Sequence, residues 1–168
     1  TSLRDGIDIF RELAQHDLVC FISVPVIKPD SLLFDVNIEG DAAEVDHRTE
    51  RIRSIVARYP SFRWEGPDAP QKFWTYRWFH TGEEFKDGIA GAVTFFLPFG
   101  KLEEATLVMR EIMQRHGIVK FAQQMFPEPT GSEHVSLLFH HPGDRQAYAR
   151  IQAALPDMMD AALGMGGC

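Results

Sequence analysis

Between Phe73 and Phe79 the chain reads FWTYRWF, five aromatic residues and one arginine within seven positions. Two chemistries fit that composition. It is either the packed interior of an irregular segment, or the wall of an apolar pocket in which Arg77 or Tyr76 reaches an anionic or phenolic group. Ligand pockets are mostly apolar with a few placed polar groups, and a guanidinium matches a planar carboxylate. The histidines offer less. They stand at 16, 47, 80, 116, 134, 140 and 141, without the spacing of a metal site. His140 and His141 end a strand-like run, where neighbours point to opposite faces and do not converge on one ion. No nucleophile elbow, phosphate loop or GxGxxG is present. GIAGA (88–92) is glycine-rich but precedes a strand pattern, so no helix N-terminus follows to receive a phosphate. Gln123 and His134 fall on the two strands of one hairpin. They are either polar residues on a wet sheet face or groups that cover a ligand.

These residues need elements to hold them. Ile7, Phe10, Leu13 and Ala14 recur at helical spacing, which predicts a helix over 3–16. VCFISVPV (19–26) reads as a strand and KPDS as a turn. SLLFDVNIEG (31–40) alternates Leu32, Phe34, Val36 and Ile38 against polar neighbours, the pattern of an antiparallel strand with one wet face. Gly40 and Asp41 open a helix over 43–59. The signals weaken from 60 to 88. They return as a strand over 91–99, a helix over 101–117 stopped by Gly117, a strand over 118–126, the turn PEPTGS, a strand over 133–141, and a helix over 144–164 bent or split at Pro156. A hairpin followed by a helix therefore occurs twice. The expected fold is α+β, ferredoxin-like, a mostly antiparallel sheet with helices on one face.

Composition bounds the function. The chain has 168 residues, 45% of them hydrophobic and 24% charged, enough for one domain with a sizeable core. A net charge of −7 disfavours nucleic acid, whose binding rests on phosphate neutralisation. No apolar run approaches a membrane span, and the N-terminus lacks a signal pattern. Cys20 and Cys168 do not form a disulfide framework. Cys20 reads as a small buried hydrophobe, which suggests a reducing, cytoplasmic compartment.

From Gly88 onward the chain resembles the C-terminal cap domain of FAD-linked oxidases of the p-cresol methylhydroxylase and vanillyl-alcohol oxidase type. The matching stretches are GIAGAVTFFLPF, a helix ending in RHGI, KFAQQMF, EHVSLLFHHPGDRQ, and a last helix running into glycine. They stand in the family's order and cover about half of the chain. The resemblance implies that residues 1–168 are a single cap domain, a fragment of a larger flavoprotein whose FAD-binding domain is absent and holds most of the cofactor. It implies an FAD-dependent oxidoreductase that passes hydride from a small phenolic or hydroxy-acid-like substrate to the flavin, and a fragment that is inactive alone. The partners implied are the substrate, the FAD-binding domain of the same polypeptide, and an electron-accepting protein such as a cytochrome. It also implies that the chain stops before a strand carrying substrate-binding groups.

Carried over residue by residue, the resemblance places Gln123, Glu133 and His134 against the substrate pocket, with Phe96 on the adjacent strand; Arg77, from the aromatic run, is the candidate anchor for a substrate anion or phenolate. Phe85 falls near the family's flavin-bonding tyrosine and cannot form that bond, so the implied FAD is non-covalent at this domain. Leu137 stands where the family has an aspartate that assists proton movement. No metal is implied, since PEPTGSE lacks the histidine-rich segment of the hydroxy-acid dehydrogenases. Two other readings stay open: a free-standing ferredoxin-like module that binds a ligand or dimerises, and a member of the flavin family that has lost catalysis.

Overall fold

The computed structural model describes residues 3–16, 21–27, 32–63, 89–128 and 130–168. The first helix, α1 (Leu3–Gln15), buries Ile7, Ile9, Phe10 and Leu13. The spacing had marked three of these; Ile9 widens the stripe and sends it in two directions. Ile7 and Phe10 join the large core, whereas Ile9 and Leu13 join a smaller one with Ile52 and Ile55. Arg11 fixes the helix along its length. Its Nε and Nη2 both donate to the Phe99 carbonyl, at 3.1 and 2.7 Å, while Nη1 pairs with Asp8 at 3.3 Å.

Strands β1 (Phe21–Ile27) and β2 (Leu32–Asn37) pair antiparallel, with an irregularity in register between Phe21 and Val24. The chain then enters α2 (Ala42–Val56) through Gly40 and Asp41, as the sequence indicates. The Asp41 carboxylate accepts from the Glu44 N–H at 2.9 Å, satisfying one of the donors a helix start leaves unpaired. The helix ends three residues earlier than its periodicity predicts, and its remaining turn closes through Tyr59.

The second half begins at β3 (Ile89–Leu97) and passes through a short 3-10 turn, Phe99–Lys101, into α3 (Leu102–Arg115). That helix buries Leu102, Ala105, Met109, Ile112 and Met113 on one stripe. Removing such side chains from water stabilises by roughly 1.5–3 kcal/mol each. Strands β4 (Phe121–Glu128) and β5 (Gly131–His140) form the second hairpin, and α4 (Arg145–Gly164) follows. The sequence anticipates a bend or split at Pro156; the structure assigns one helix through it. Asp157, the next residue, ties α4 to the end of α3. Its Oδ2 lies 2.8 Å from His116 Nε2 and 3.1 Å from Arg115 Nη2, and His116 above all holds this carboxyl below its ordinary pKa.

The five strands lie in the order β2-β1-β4-β5-β3, and every neighbouring pair is antiparallel. Strands β3 and β4 both oppose β5, so they run parallel to each other with β5 between them and α3 as their crossover, a split β-α-β unit. The expected α+β class, the antiparallel sheet and the twice-used hairpin and helix are all present. Side chains of α1, α3 and α4 meet one sheet face, where Val93, Phe95, Leu97, Phe121, Met125 and Leu138 join the large core. No described helix is long and apolar enough to cross a membrane.

After α4 the chain turns back to the sheet. Gly166 takes φ +83°, a conformation that disfavours any residue with a Cβ. At Gly167 a Cβ would stand 2.8 Å from the Ala162 carbonyl oxygen and 3.0 Å from that of Phe96. The two glycines thereby bring Cys168 against the outer edge of β3. There its N–H donates to the Phe96 carbonyl at 3.3 Å, and its carbonyl accepts from the Phe96 N–H at 2.9 Å.

Candidate functional site

Strand parity decides what each residue of β3, β4 and β5 can touch, because successive side chains leave a strand on opposite faces. On β3, Val93, Phe95 and Leu97 point to the helices. Their partners on β5 are Ser136, His134 and Ser132. The partners of those on β4 are Gln123, Met125 and Pro127. The alternate residues make up the second face. There Phe96, Glu133 and Phe126 form one row across three strands, Thr94, Val135 and Gln124 the next, and Ala92, Leu137 and Ala122 the third, with Phe139 beyond. Ala122, Leu137 and Gln124 are buried; Phe96, Glu133, Phe126, Val135 and Phe139 are half-buried; Ala92 and Thr94 are exposed.

This register separates the residues that the sequence had grouped. Phe96 and Glu133 are cross-strand neighbours on the second face. Gln123 and His134 lie on the helix-covered face, both fully buried. The expectation of one pocket lined by all four is corrected for a simple reason: Glu133 and His134 are adjacent on β5, so they cannot face the same side. Arg77 and Phe85 lie outside the described residues.

Gln123 has a structural task. Its Oε1 accepts from Arg110 Nε at 2.9 Å, and its Nε2 donates to the Thr106 carbonyl at 3.2 Å. The amide thus bolts α3 to β4, and the partial burial that this demands lowers the Arg110 pKa. His134 is sealed in. Its ring stacks on Phe95 at a centroid distance of 4.9 Å with the planes 10° apart. Burial in that apolar setting pushes its pKa from 6.5 down to about 4, so the imidazole is neutral near neutrality.

The second face differs in kind. In the three rows shared by β3, β5 and β4, Glu133 is the one ionisable side chain, set between two phenylalanines. By strand spacing the patch measures roughly 10 Å across and 20 Å along the strands. A largely apolar plate carrying one carboxylate beside Thr94 and Gln124 suits a flat, mostly apolar ring system, and a donor on that ring would meet the carboxylate. Among the described residues no group of three or more His, Cys, Asp or Glu side chains is placed to hold a metal ion.

Sequence reasoning missed Phe126, Val135 and Gln124 as residues of this face. The signal available was parity counted from Phe96 and Glu133. KFAQQMF conceals it, because both alternations of that strand are apolar and each carries a glutamine.

No protein-family model matches the chain, and no curated protein matches it. Among solved structures it is similar to 4-ethylphenol oxidase from Gulosibacter chungangensis in complex with isoeugenol, at a TM-score of 0.65 and 14% sequence identity. The likeness covers 76% of this chain and 28% of that one, so the chain spans less than a third of that protein's length. At this identity the likeness shows a shared fold.

Proposed function

We propose that this chain is the cap domain of an FAD-dependent oxidoreductase acting on a small phenolic substrate, with its second sheet face turned toward the flavin. The observation that carries this reading is the Phe96–Glu133–Phe126 row, a carboxylate between two phenylalanines on the sheet face away from the core helices. The shared fold with a 4-ethylphenol oxidase supports it. When bound, the flavin supplies the oxidising chemistry by accepting hydride from a substrate carbon. The residues of this chain orient and enclose. Phe96, Phe126 and Val135 exclude water from the ring plane, which strengthens the polar contacts that remain. A Glu133 carboxylate oxygen accepts a hydrogen bond from a substrate hydroxyl. Leu137, buried on the same face, holds no proton, so the family's aspartate-assisted step has no counterpart at that position. Gln123 and His134 act behind the sheet and touch no substrate. Arg77 is proposed as the anchor for a phenolate.

The division of labour is testable with the chain as it stands. Mixed with FAD, it should leave the flavin absorbance unshifted and bind weakly; tight binding with a shifted spectrum would sink the assignment. Reading the coding sequence upstream of Thr1 adds an independent check. A preceding domain of about 200 residues with a glycine-rich flavin segment supports the cap reading, whereas a start codon at or near Thr1 favours a free-standing module. The same apolar rows suit a second copy of the chain, and a solution dimer that buries Phe96 and Val135 would favour that rival. In the full-length protein, anaerobic bleaching of the flavin by phenols and not by hydroxy acids is the expected outcome.

A further inference from the structure

His134 and Ser136 occupy successive same-face positions on β5, both fully buried between the sheet and the helices. Three of their polar atoms, His134 Nδ1 and Nε2 and Ser136 Oγ, have no protein partner. The polar groups around them are already committed. Gln123, opposite Ser136, spends its amide on Arg110 and the Thr106 carbonyl. Ser132 donates to the Phe126 and Glu133 carbonyls, and the Thr106 hydroxyl to that of Leu102. Phe95 and Met125 flank His134 on the neighbouring strands and offer no hydrogen bond.

Buried polar atoms in folded proteins are almost always paired, with protein or with ordered water, and an orphan costs roughly 1–3 kcal/mol. We infer that His134 and Ser136 together form an internal binding site for a single water molecule between the sheet and the helix layer. The chemistry matches. A neutral imidazole offers one donor and one acceptor, and the serine hydroxyl is both. Same-face residues on a strand are about 6.7 Å apart, and two hydrogen bonds of about 2.8 Å meeting at the tetrahedral angle of one water span roughly 4.5 Å, within reach of the two side chains. Among the described residues no carboxylate shares the site, so a cation gains nothing there. This water lies on the face opposite the proposed substrate plate, so the inference stands or falls independently of the proposed function.

The test is water-to-protein NOE spectroscopy on the isotopically labelled chain at neutral pH, with long-range proton–nitrogen spectra of the His134 ring. A resident water should cross-relax with the His134 ring protons and the Ser136 side chain, and the imidazole should show one neutral tautomer. In Ser136→Ala the cross-peaks should vanish. In a double-mutant cycle with His134→Phe, the second substitution should cost at least tenfold less in the unfolding equilibrium constant than it does alone. No resident-water contact in the wild-type chain overturns the site. So does a contact that survives Ser136→Ala, or strict additivity of the two substitutions. Should His134→Phe fail to fold, the cross-peaks in the wild-type chain and in Ser136→Ala still decide.

Discussion

The two faces of the sheet use polar groups differently. The covered face joins Val93, Phe95, Leu97, Phe121, Met125 and Leu138 to the core and also buries Ser132, His134, Ser136 and Gln123 among them. The face away from the core helices mixes Phe96, Phe126, Val135, Leu137 and Phe139 with Glu133, Thr94 and Gln124. The comparison teaches that the covered face uses buried polar groups to lock helices in place, as Gln123 does. The other face sets a carboxylate among apolar rows.

The comparison breaks most readily on the covered side. Leu138→Ala removes a fully buried side chain from the large core and should cost about 3 kcal/mol in chemical denaturation. Val135→Ala, half-buried on the other face, should cost under about 1 kcal/mol. Equal losses would mean that the second face is as tightly packed as the first.

Acid provides the next largest effect. The folded-state pKa of His134, about 4, lies below its unfolded value of 6.5. Between these two pH values the unfolded chain binds the proton that the folded chain refuses. Stability is therefore whole above pH 6.5, declines as pH falls toward 4, and takes no further loss from this group below that. The full decline is on the order of 3 kcal/mol. Denaturation midpoints across this window should flatten in His134→Phe, and an unchanged slope would place the imidazole in water.

Gln123→Met should cost about 2 kcal/mol, because the side chain still fills its space while Arg110 loses an acceptor. An unchanged midpoint would show that the helix is held without the amide. Glu133→Gln should be the mildest in stability, under about 0.5 kcal/mol, since among the described residues its carboxylate makes no ion pair or hydrogen bond. In the proposed full-length flavoprotein the same change should lower phenol-driven flavin reduction at least tenfold. A change in stability without a change in reduction would turn Glu133 into a structural residue.

The order and type of the elements were legible in the residues, because helices such as α3 hold a single apolar stripe and Asp41, Gly117 and Gly166 mark their ends. The register of the site was not. On β2 the alternation of Phe34, Val36 and Ile38 against polar neighbours names the packed face. On β5, Leu138 lies on one face and Val135, Leu137 and Phe139 on the other, so period-two counting cannot say which one the helices take. Only the placement of α1, α3 and α4 decides it, and that follows from long-range packing. The resemblance carried residues over by position along the strand, which left their faces unassigned and mixed Gln123 and His134 with Phe96 and Glu133. The aromatic run at 73–79 and Phe85 fall outside the described residues.

One consequence follows from the first helix. Ile7 and Phe10 serve the large core while Ile9 and Leu13 serve the small one. A single rigid rod thus shares its turns between two hydrophobic bodies, and neither sheds it without the other. Melting of the α2 end should propagate through α1 into the split β-α-β unit, making thermal unfolding one cooperative event across both halves of the chain.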